Sequence, residues 1–219
     1  MPSQPSAPAQ CYNFMKRLIS ILFAALAVLT LPAALAAADN AARTLDVAAQ
    51  RFSKAPSVSA AYTVTSPSGN VAGNIVVSGQ RFRISSPEMS TWFDGKTQWT
   101  YVPADREVTI SEPTPDELLQ INPFEIISSF RTNYNASTVK SDKSQTVIRL
   151  TSRDPKASIT QAVLTLASAT LLPSRIELTG PSGHVTINLG SVKTGKAMTA
   201  ADFRFNTGSH PGVSVNDLR

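Results

Sequence analysis

Polar and apolar residues alternate along most of the chain after residue 57. In residues 58–65 the apolar side chains stand at Val58, Ala60, Tyr62 and Val64, with other residues between them. This period of two is typical of a strand that turns one face to a core. The same pattern recurs in residues 73–77, 82–84, 91–93, 98–101, 108–110, 147–150, 159–166, 175–178 and 185–189. It predicts an antiparallel sheet of about ten strands with one apolar face.

Turn-forming residues separate these segments. Asp94 and Gly95 lie between two short aromatic segments, and the stretches 67–70 (PSGN) and 180–183 (GPSG) divide later pairs. Glycine accepts the positive φ that a tight turn requires, so Asp94-Gly95 predicts a hairpin. Ahead of the first strand, apolar residues recur at helical spacing from Ala41 to Phe52. We expect a helix that is capped by Asp39 and that ends near Lys54.

Two short helices are predicted in the middle of the chain. Thr114 and Glu117 form a capping box with proline at the first helical position, and Asn122 and Glu125 repeat this spacing around a second proline. The predicted helices carry a large apolar surface, which is formed by Leu118, Leu119, Ile121, Phe124, Ile126, Ile127 and Phe130. That surface is too large to face water, so the helices must cover the apolar face of the sheet.

This cover has two interpretations. In the first, the helices close an ordinary solid core. In the second, they form a lid over a concave apolar cavity that holds a lipid. The hydrophobic pattern alone does not separate the two.

The amino-terminal region has the order of a secretory signal. Lys16 and Arg17 precede an apolar run over residues 18–31, which is followed by a proline and an alanine-rich stretch. The run is shorter than the roughly 20 residues of a membrane span. We therefore expect residues 1–38 to be a signal peptide with an upstream extension before Met15. Cleavage after Ala36 or Ala38 leaves residues 39–219 as one domain.

Composition narrows the function classes further. The chain has 20 basic and 15 acidic residues and a net charge of +5, and removal of residues 1–38 lowers this to 18 against 15, or +3. The basic residues form no run or stripe, which argues against a nucleic-acid partner. The single cysteine, Cys11, precedes the signal. The mature protein would then have no thiol and no lipidated cysteine, and we expect it to be free in the periplasm.

No residue set points to catalysis. His184 stands in an alternating strand and His210 in a Ser-His-Pro loop, without a cysteine or a second histidine nearby. A metal site needs a cluster of such ligands, and a hydrolase needs a nucleophile beside a base. We expect no enzyme activity, no metal site and no cofactor.

Several stretches resemble a known family. They are residues 92–103 (WFDGKTQWTYVP), 107–110 (EVTI), 203–205 (FRF) and 211–215 (PGVSV). Together with the order of helices and strands, they are similar to the LolA family of periplasmic lipoprotein carriers. The resemblance implies an α+β, mainly β fold: an incomplete antiparallel β-barrel of roughly ten to eleven strands with a helical lid.

The resemblance also implies a function. Such a protein is a chaperone that binds the acyl chains of lipoproteins in its half-barrel and carries them from the inner to the outer membrane. Its expected partners are acylated lipoproteins, an inner-membrane lipoprotein-releasing ABC complex and an outer-membrane acceptor, and we expect a monomer. The alternative is a periplasmic lipid-binding sensor of the same fold that regulates an envelope partner. The acceptor of this fold is itself lipidated, so the absence of a cysteine at the cleavage site favours the shuttle.

The expected site residues fall into three groups. The cavity residues are Tyr62, Val64, Ile75, Val77, Phe82, Ile84, Trp92, Trp99 and Tyr101. The lid residues are Leu118, Leu119, Ile121, Phe124, Ile127 and Phe130. Carriers of this family hold the lid with an arginine near a basic residue and proline, and residues 78–83 (SGQRFR) lack that proline. We expect Arg81 or Arg83 to serve as the latch.

Overall fold

The computed structural model describes residues 31–219, with side chains from residue 40 onward. Residues 1–30, which hold most of the predicted signal peptide, lie outside the described residues. The helices are α1 (Leu31–Lys54), α2 (Pro115–Ile121) and α3 (Glu125–Asn133). The strands are β1 (Ser57–Ser66), β2 (Gly69–Ser78), β3 (Arg81–Ser85), β4 (Ser90–Phe93), β5 (Gln98–Val102), β6 (Glu107–Ser111), β7 (Tyr134–Ser141), β8 (Gln145–Ser152), β9 (Gln161–Ala167), β10 (Pro173–Gly180), β11 (Gly183–Gly195) and β12 (Ser214–Asp217).

The strands form one open sheet of twelve strands in the order β12-β6-β5-β4-β3-β2-β1-β11-β10-β9-β8-β7. All neighbours are antiparallel except β12, which runs parallel to β6. β7 and β12 lie at opposite edges of the sheet and do not pair with each other. The prediction of a mainly β, incomplete barrel with a helical cover is confirmed, with two edge strands more than the alternating pattern indicated.

The hairpin predicted at Asp94 and Gly95 joins β4 to β5. The Asp94 Oδ1 atom accepts hydrogen bonds from the backbone amides of Lys96 at 3.1 Å and Thr97 at 3.0 Å. Gly95 has a φ of +105°, in the region that favours glycine. The same carboxylate binds the C-terminal segment, because Arg204 Nε donates to its Oδ2 at 2.8 Å.

The three helices lie on the concave, apolar face of the sheet. α1 contacts β7 and α3, and its residues Ala41, Leu45 and Ala48 are fully buried. They belong to the main core together with apolar residues of β1, β2 and β8–β11. α1 begins at Leu31, so the prediction of a start at Asp39 is wrong. The alanine-rich residues before Asp39 favour the helix, and a proline in its first turn interrupts no backbone hydrogen bond.

The opposite, convex face of β3–β6 is covered by the C-terminal segment, which contains two short 3₁₀ turns at Ala200–Phe203 and Thr207–Ser209. Phe203 of this segment is fully buried, as is Val108 of β6. Arg106 holds the segment by donating from Nη2 to the Pro211 carbonyl at 2.8 Å. Among the described helices, none is long and apolar enough to cross a membrane.

Candidate functional site

A cavity of about 370 Å³ lies between the concave face of the sheet and the lid helices. This volume falls within the range of about 300–1,000 Å³ that small-molecule sites occupy. Its walls come from β1–β3, β10 and β11, from α2 and from the loop before β9. The lining residues are Tyr62, Val64, Val71, Ile75, Ile84, Gln120, Ile121, Pro123, Ser158, Ile159, Leu178, Thr179, Gly180, Ser182, Gly183, Val185, Ile187 and Leu189.

Strand alternation and register bring the apolar residues together. Tyr62 of β1 pairs with Leu189 of β11, and Val64 pairs with Ile187. Residues directly opposite each other in a sheet point to the same side. The alternation seen in each strand therefore places side chains of five strands on one surface under α2.

A glycine gives the Tyr62 ring its place in the wall. Tyr62 lies opposite Gly73 of β2, where an added Cβ would be 2.6 Å from the Tyr62 hydroxyl and 2.0 Å from the Ser85 carbonyl oxygen. Burial raises the pKa of the Tyr62 hydroxyl, and the charge of Glu88 adds to this effect. The Tyr62 ring therefore packs on the β2 backbone at Gly73, because a residue with a Cβ atom would leave no room for the ring.

The cavity wall carries no charge among its described residues. Its polar side chains are the neutral groups of Gln120, Ser158 and Ser182, beside the Tyr62 hydroxyl. Gln120 and Ser182 are exposed, while Ile187 and Leu189 at the other side of the wall are buried. The mouth therefore lies between α2 and the turn that joins β10 to β11, and the interior is apolar.

The first lid helix begins at the predicted capping box. The Thr114 Oγ1 atom accepts from the Glu117 amide at 3.3 Å, and the Thr114 amide donates to Glu117 Oε2 at 2.7 Å. Hydrogen bonds from the backbone amide and the hydroxyl of Thr114 lower the pKa of the Glu117 carboxyl. The capping box prediction is confirmed here.

The second predicted capping box is wrong. The Asn122 Oδ1 atom accepts from the Phe124 amide at 3.1 Å, and α3 begins at Glu125. Glu125 has no amide to bind in return, because the Asn122 amide already donates to the Leu118 carbonyl at the end of α2. The Glu125 side chain is half-buried instead, and desolvation raises the pKa of its carboxyl.

Contacts with α1 and β8 hold the lid on the sheet. The Phe52 and Phe124 rings lie 5.3 Å apart, and Arg131 of α3 donates from Nε to Asp46 Oδ1 at 2.6 Å. Arg153 donates from Nη1 to the carbonyls of Arg131 at 2.9 Å and Thr132 at 3.1 Å, at the C-terminal end of α3. These contacts add to the apolar packing of Phe124, Ile127 and Phe130 in the core, which holds the lid on the sheet.

The predicted site residues on the concave face occupy two places. Tyr62, Val64, Ile75, Ile84 and Ile121 line the cavity. The remaining concave-face residues pack in the core beside it, and these are Val77, Phe82, Leu118, Leu119, Phe124, Ile127 and Phe130.

The prediction that Trp92, Trp99 and Tyr101 line the cavity is wrong. Trp92 pairs with Arg83 and with Trp99, and Phe93 pairs with the buried core residue Phe82. Alternation therefore turns Phe93 to the core and the three larger aromatic side chains to the convex face. On that face the centre of the Phe205 ring lies 5.4 Å from the ring centres of both Trp92 and Tyr101. The ring centres of His210 and Tyr101 are 4.7 Å apart. We call Trp92, Tyr101, Phe205 and His210 the outer aromatic cluster.

The predicted latch is wrong for the same reason. Arg81 and Arg83 alternate with Phe82 and Ile84 in β3, so their side chains lie on the convex face. The Arg81 guanidinium carbon is 5.2 Å from the centre of the Phe203 ring. The positive charges of Arg81 and Arg83 help to lower the pKa of the Asp202 carboxyl, after its hydrogen bonds with Thr199. They hold the C-terminal segment, whereas Arg131 and Arg153 hold the lid.

Most of the cavity wall was not predicted from the sequence, since only five of its eighteen lining residues were. Ile159, Leu178, Val185, Ile187 and Leu189 line it from the loop before β9 and from β10 and β11. Their alternation was visible in the sequence. The pairing of β1 with β11 was the missing fact, because only that pairing brings the C-terminal half of the sheet next to Tyr62 and Val64.

Several solved structures are similar to this chain, among them the following three. An uncharacterized conserved protein from Thermus thermophilus matches with a TM-score of 0.56 and 12% identity, over 80% of this chain and 97% of that one. A putative outer membrane lipoprotein-sorting protein domain from Vibrio parahaemolyticus matches with a TM-score of 0.47 and 13% identity, over 78% and 98%. The LolA superfamily protein NE2245 from Nitrosomonas europaea matches with a TM-score of 0.41 and 13% identity, over 75% and 98%. The first likeness supports the fold.

A sequence profile establishes the family. No curated protein matches this chain in sequence. The profile of the family described as outer membrane lipoprotein carrier protein LolA matches residues 32–181, which is more than half of the chain. That span contains α1 except its first residue, α2, α3 and β1–β10, and with them most of the cavity wall. The chain therefore belongs to the LolA family of outer membrane lipoprotein carrier proteins.

Proposed function

We propose that this protein is a periplasmic chaperone that binds the acyl chains of lipoproteins in its cavity and carries them from the inner to the outer membrane. The observation that carries the proposal is the uncharged, apolar cavity of about 370 Å³ under a helical lid. A solid core was the alternative interpretation of the same sequence pattern, and it leaves no such space. Family membership supports the choice of lipoproteins as the cargo.

Physical chemistry explains why such cargo needs a carrier. Each methylene exposed to water costs about 0.8 kcal/mol, so one sixteen-carbon chain costs on the order of 10 kcal/mol. A triacylated lipoprotein cannot cross an aqueous compartment at a useful rate with this surface exposed. The carrier must cover the chains and also release them. A lid held by apolar side chains meets both needs, because its apolar contacts with the sheet can be exchanged for apolar contacts with lipid.

The lid residues support a specific exchange. Leu119, Ile127 and Phe130 are buried against the sheet, and Phe124 packs on α1. We expect them to leave these places when the cargo enters and to pack on its acyl chains. Truncation of Phe124 or Phe130 to alanine should therefore change lipid loading. Unchanged loading in both variants would contradict the lid exchange.

The expected route follows from the same proposal. Export with a cleaved signal peptide would deliver the protein to the periplasm as a monomer. An inner-membrane releasing complex would load the cavity, and an outer-membrane acceptor would empty it. We infer binding and release without chemical turnover, since the cavity wall holds only neutral polar side chains among the described residues.

Native mass spectrometry tests the proposal directly. The full chain is expressed with its own signal, purified from the periplasm without detergent and examined for bound cargo. We expect a complex with a triacylated lipoprotein, from which the intact acylated protein is recovered. An empty protein that takes up neither lipoprotein nor a triacylated lipopeptide would overturn the carrier function. Recovery of only free lipid would support the sensor alternative.

A further inference from the structure

The size of the cavity limits what it holds while the lid is closed. A cavity of about 150 Å³ lined by aliphatic and aromatic side chains takes up one benzene molecule, which has six carbon atoms. At the same density, the 370 Å³ cavity corresponds to about fifteen carbon atoms. This is the size of one ordinary bacterial acyl chain. Three such chains would need about three times the volume.

The chemistry of the wall limits the group to which that chain is attached. Gln120, Ser158 and Ser182 offer neutral hydrogen-bond donors, and no described lining residue offers a positive charge. A carboxylate taken from water into such a site loses its hydration without gaining a counter-ion, which is costly. An ester or amide carbonyl carries no charge and needs only one donor. The wall therefore favours an acyl chain in ester or amide linkage over a free fatty acid.

Charges near the mouth act in the same direction. Gln120 stands on the same face of α2 as Asp116, since the Gln120 Nε2 atom donates to the Asp116 carbonyl at 3.5 Å. Asp116 is an exposed acidic residue of this short helix. Its negative charge disfavours a negatively charged ligand group close to Gln120.

From capacity and charge we infer that the closed cavity is a site for one acyl chain of about fifteen carbons that is attached through an uncharged ester or amide. This inference rests on the proposed carrier function and specifies its ligand. A triacylated cargo then places one chain in the closed cavity, and the other two chains require displacement of the lid. The same chemistry is offered by one chain of a lipoprotein and by a monoacyl glycerolipid.

The test uses delipidated full-length protein and a series of monoacylglycerols from about eight to about eighteen carbons. Native mass spectrometry gives the stoichiometry, and calorimetry gives the affinity. We expect one bound molecule and an affinity that rises with chain length up to about fifteen carbons and then levels off. Palmitate at neutral pH should bind at least tenfold more weakly than monopalmitoylglycerol. Two or more bound molecules, or equal binding of palmitate, would overturn the inference.

A pair of variants in β1 provides a control within the same strand. Val64 faces the cavity, whereas Thr63 points to the convex face and is exposed. Val64→Phe adds four side-chain carbons to the cavity and should shorten the preferred chain by about four carbons. Thr63→Phe should leave the preference unchanged. If a folded Val64→Phe protein keeps the same preferred chain length, the cavity is not the binding site for the acyl chain. If that variant does not fold, the chain-length series on the unmodified protein tests the inference.

A triacylated lipopeptide separates this inference from the proposed function. If the protein loads the lipopeptide and, in the separate series, binds two or three monoacylglycerols, the carrier function stands and the one-chain capacity is overturned. Binding of one monoacylglycerol without any loading of the lipopeptide would keep the one-chain site and overturn lipoprotein carriage. Loading of the lipopeptide with one monoacylglycerol per protein supports both.

Discussion

The two faces of the sheet are covered in different ways. On the concave side, three helices cover five apolar strands and leave a cavity of about 370 Å³. On the convex side of β3–β6, the C-terminal segment packs the outer aromatic cluster with ring centres 4.5–5.4 Å apart. Both covers use aromatic and aliphatic side chains. The difference shows that hydrophobic composition alone does not decide whether a cavity remains under a cover. The fit between the cover and the sheet decides it.

Matched truncations in the two covers should separate stability from loading. Phe203 of the convex cover and Phe124 of the lid are both buried, with 0% and 4% of their surface exposed. Phe203→Ala and Phe124→Ala should each lower the free energy of unfolding by about 3–5 kcal/mol, because each leaves a cavity in a packed region. Urea unfolding measures this loss.

Lipid loading per folded molecule should respond only in the lid variant. Phe203 packs beside Arg81 on the convex face and is not among the residues that line the cavity, so its loss should leave the ligand surface intact. Native mass spectrometry with a triacylated lipopeptide measures the loaded fraction of folded protein. Equal loading defects in both variants would mean that the two covers do not differ in function.

A glycine pair in the sheet sharpens the comparison at the cavity wall. In Gly73→Ala the new Cβ would be 2.0 Å from the Ser85 carbonyl oxygen, so β2 and the Tyr62 ring must move. We expect a loss of about 1–3 kcal/mol in the free energy of unfolding, together with weaker lipid binding. Gly190→Ala in β11 is the control, since an added Cβ there has no atom within 4 Å. Equal melting temperatures for the two variants would contradict the tight approach of Tyr62 to β2.

Alternation predicted the concave face well where one side of a strand is clearly apolar. Residues 58–65 gave both the strand and the inward direction of Tyr62 and Val64, which the structure confirms. β7 and β12 were missed because they are edge strands with mostly exposed side chains, so neither has an apolar period of two.

Alternation failed where both sides of a strand are covered. In residues 91–93 (TWF) the large side chains of Trp92 and Phe93 point to opposite faces, and both faces are packed. Periodicity then does not tell which side chain points to the core. The pairing of Phe93 with the core residue Phe82 gives that direction. Arg81 and Arg83 were assigned to the lid from the family resemblance, although their alternation with Phe82 and Ile84 places them on the opposite face. The cavity itself depends on how closely the lid fits the sheet, which no pattern along one strand encodes.

A half-buried carboxyl at the start of the second lid helix offers a smaller effect with a definite sign. Desolvation raises the pKa of Glu125 above its unfolded value, so the folded state favours the protonated form. Its contribution to stability is present below the unfolded pKa and is lost as the pH rises through the folded pKa. Glu125→Gln should therefore stabilise the protein at neutral pH and have little effect in acid.

Thermal unfolding at neutral and acidic pH measures this effect. Ser129→Ala is a suitable control, because its hydroxyl bonds only the Glu125 carbonyl within α3 and not the carboxyl. A Glu125→Gln protein that is less stable than the unmodified protein at neutral pH would mean that the carboxylate has a favourable charged partner in the lid.

The smallest effect on stability is expected at the ion pair between α1 and α3. Arg131 and Asp46 have side chains that are 62% and 40% exposed, and solvent screens such pairs to about 0.5 kcal/mol or less. The hydrogen bond from Arg131 lowers the pKa of Asp46, so the contribution is present above the unfolded pKa and is lost as the pH falls through the folded value. Asp46→Asn should match the unmodified protein in acid and fall slightly below it at neutral pH.

The same substitution should have a larger effect on the rate of loading than on stability. The pair joins the second lid helix to α1, and removing it leaves mainly the apolar packing between these helices and the ring contact of Phe124 with Phe52. We expect Asp46→Asn to load a triacylated lipopeptide faster, as measured by quenching of tryptophan fluorescence with a labelled lipid. Arg175→Gln, which breaks an exposed pair with Glu177 on the convex face, should load at the unmodified rate. If both variants loaded at the same rate, the tie between α1 and α3 would not control the lid, and the weak step in opening would lie in the apolar contacts under α2.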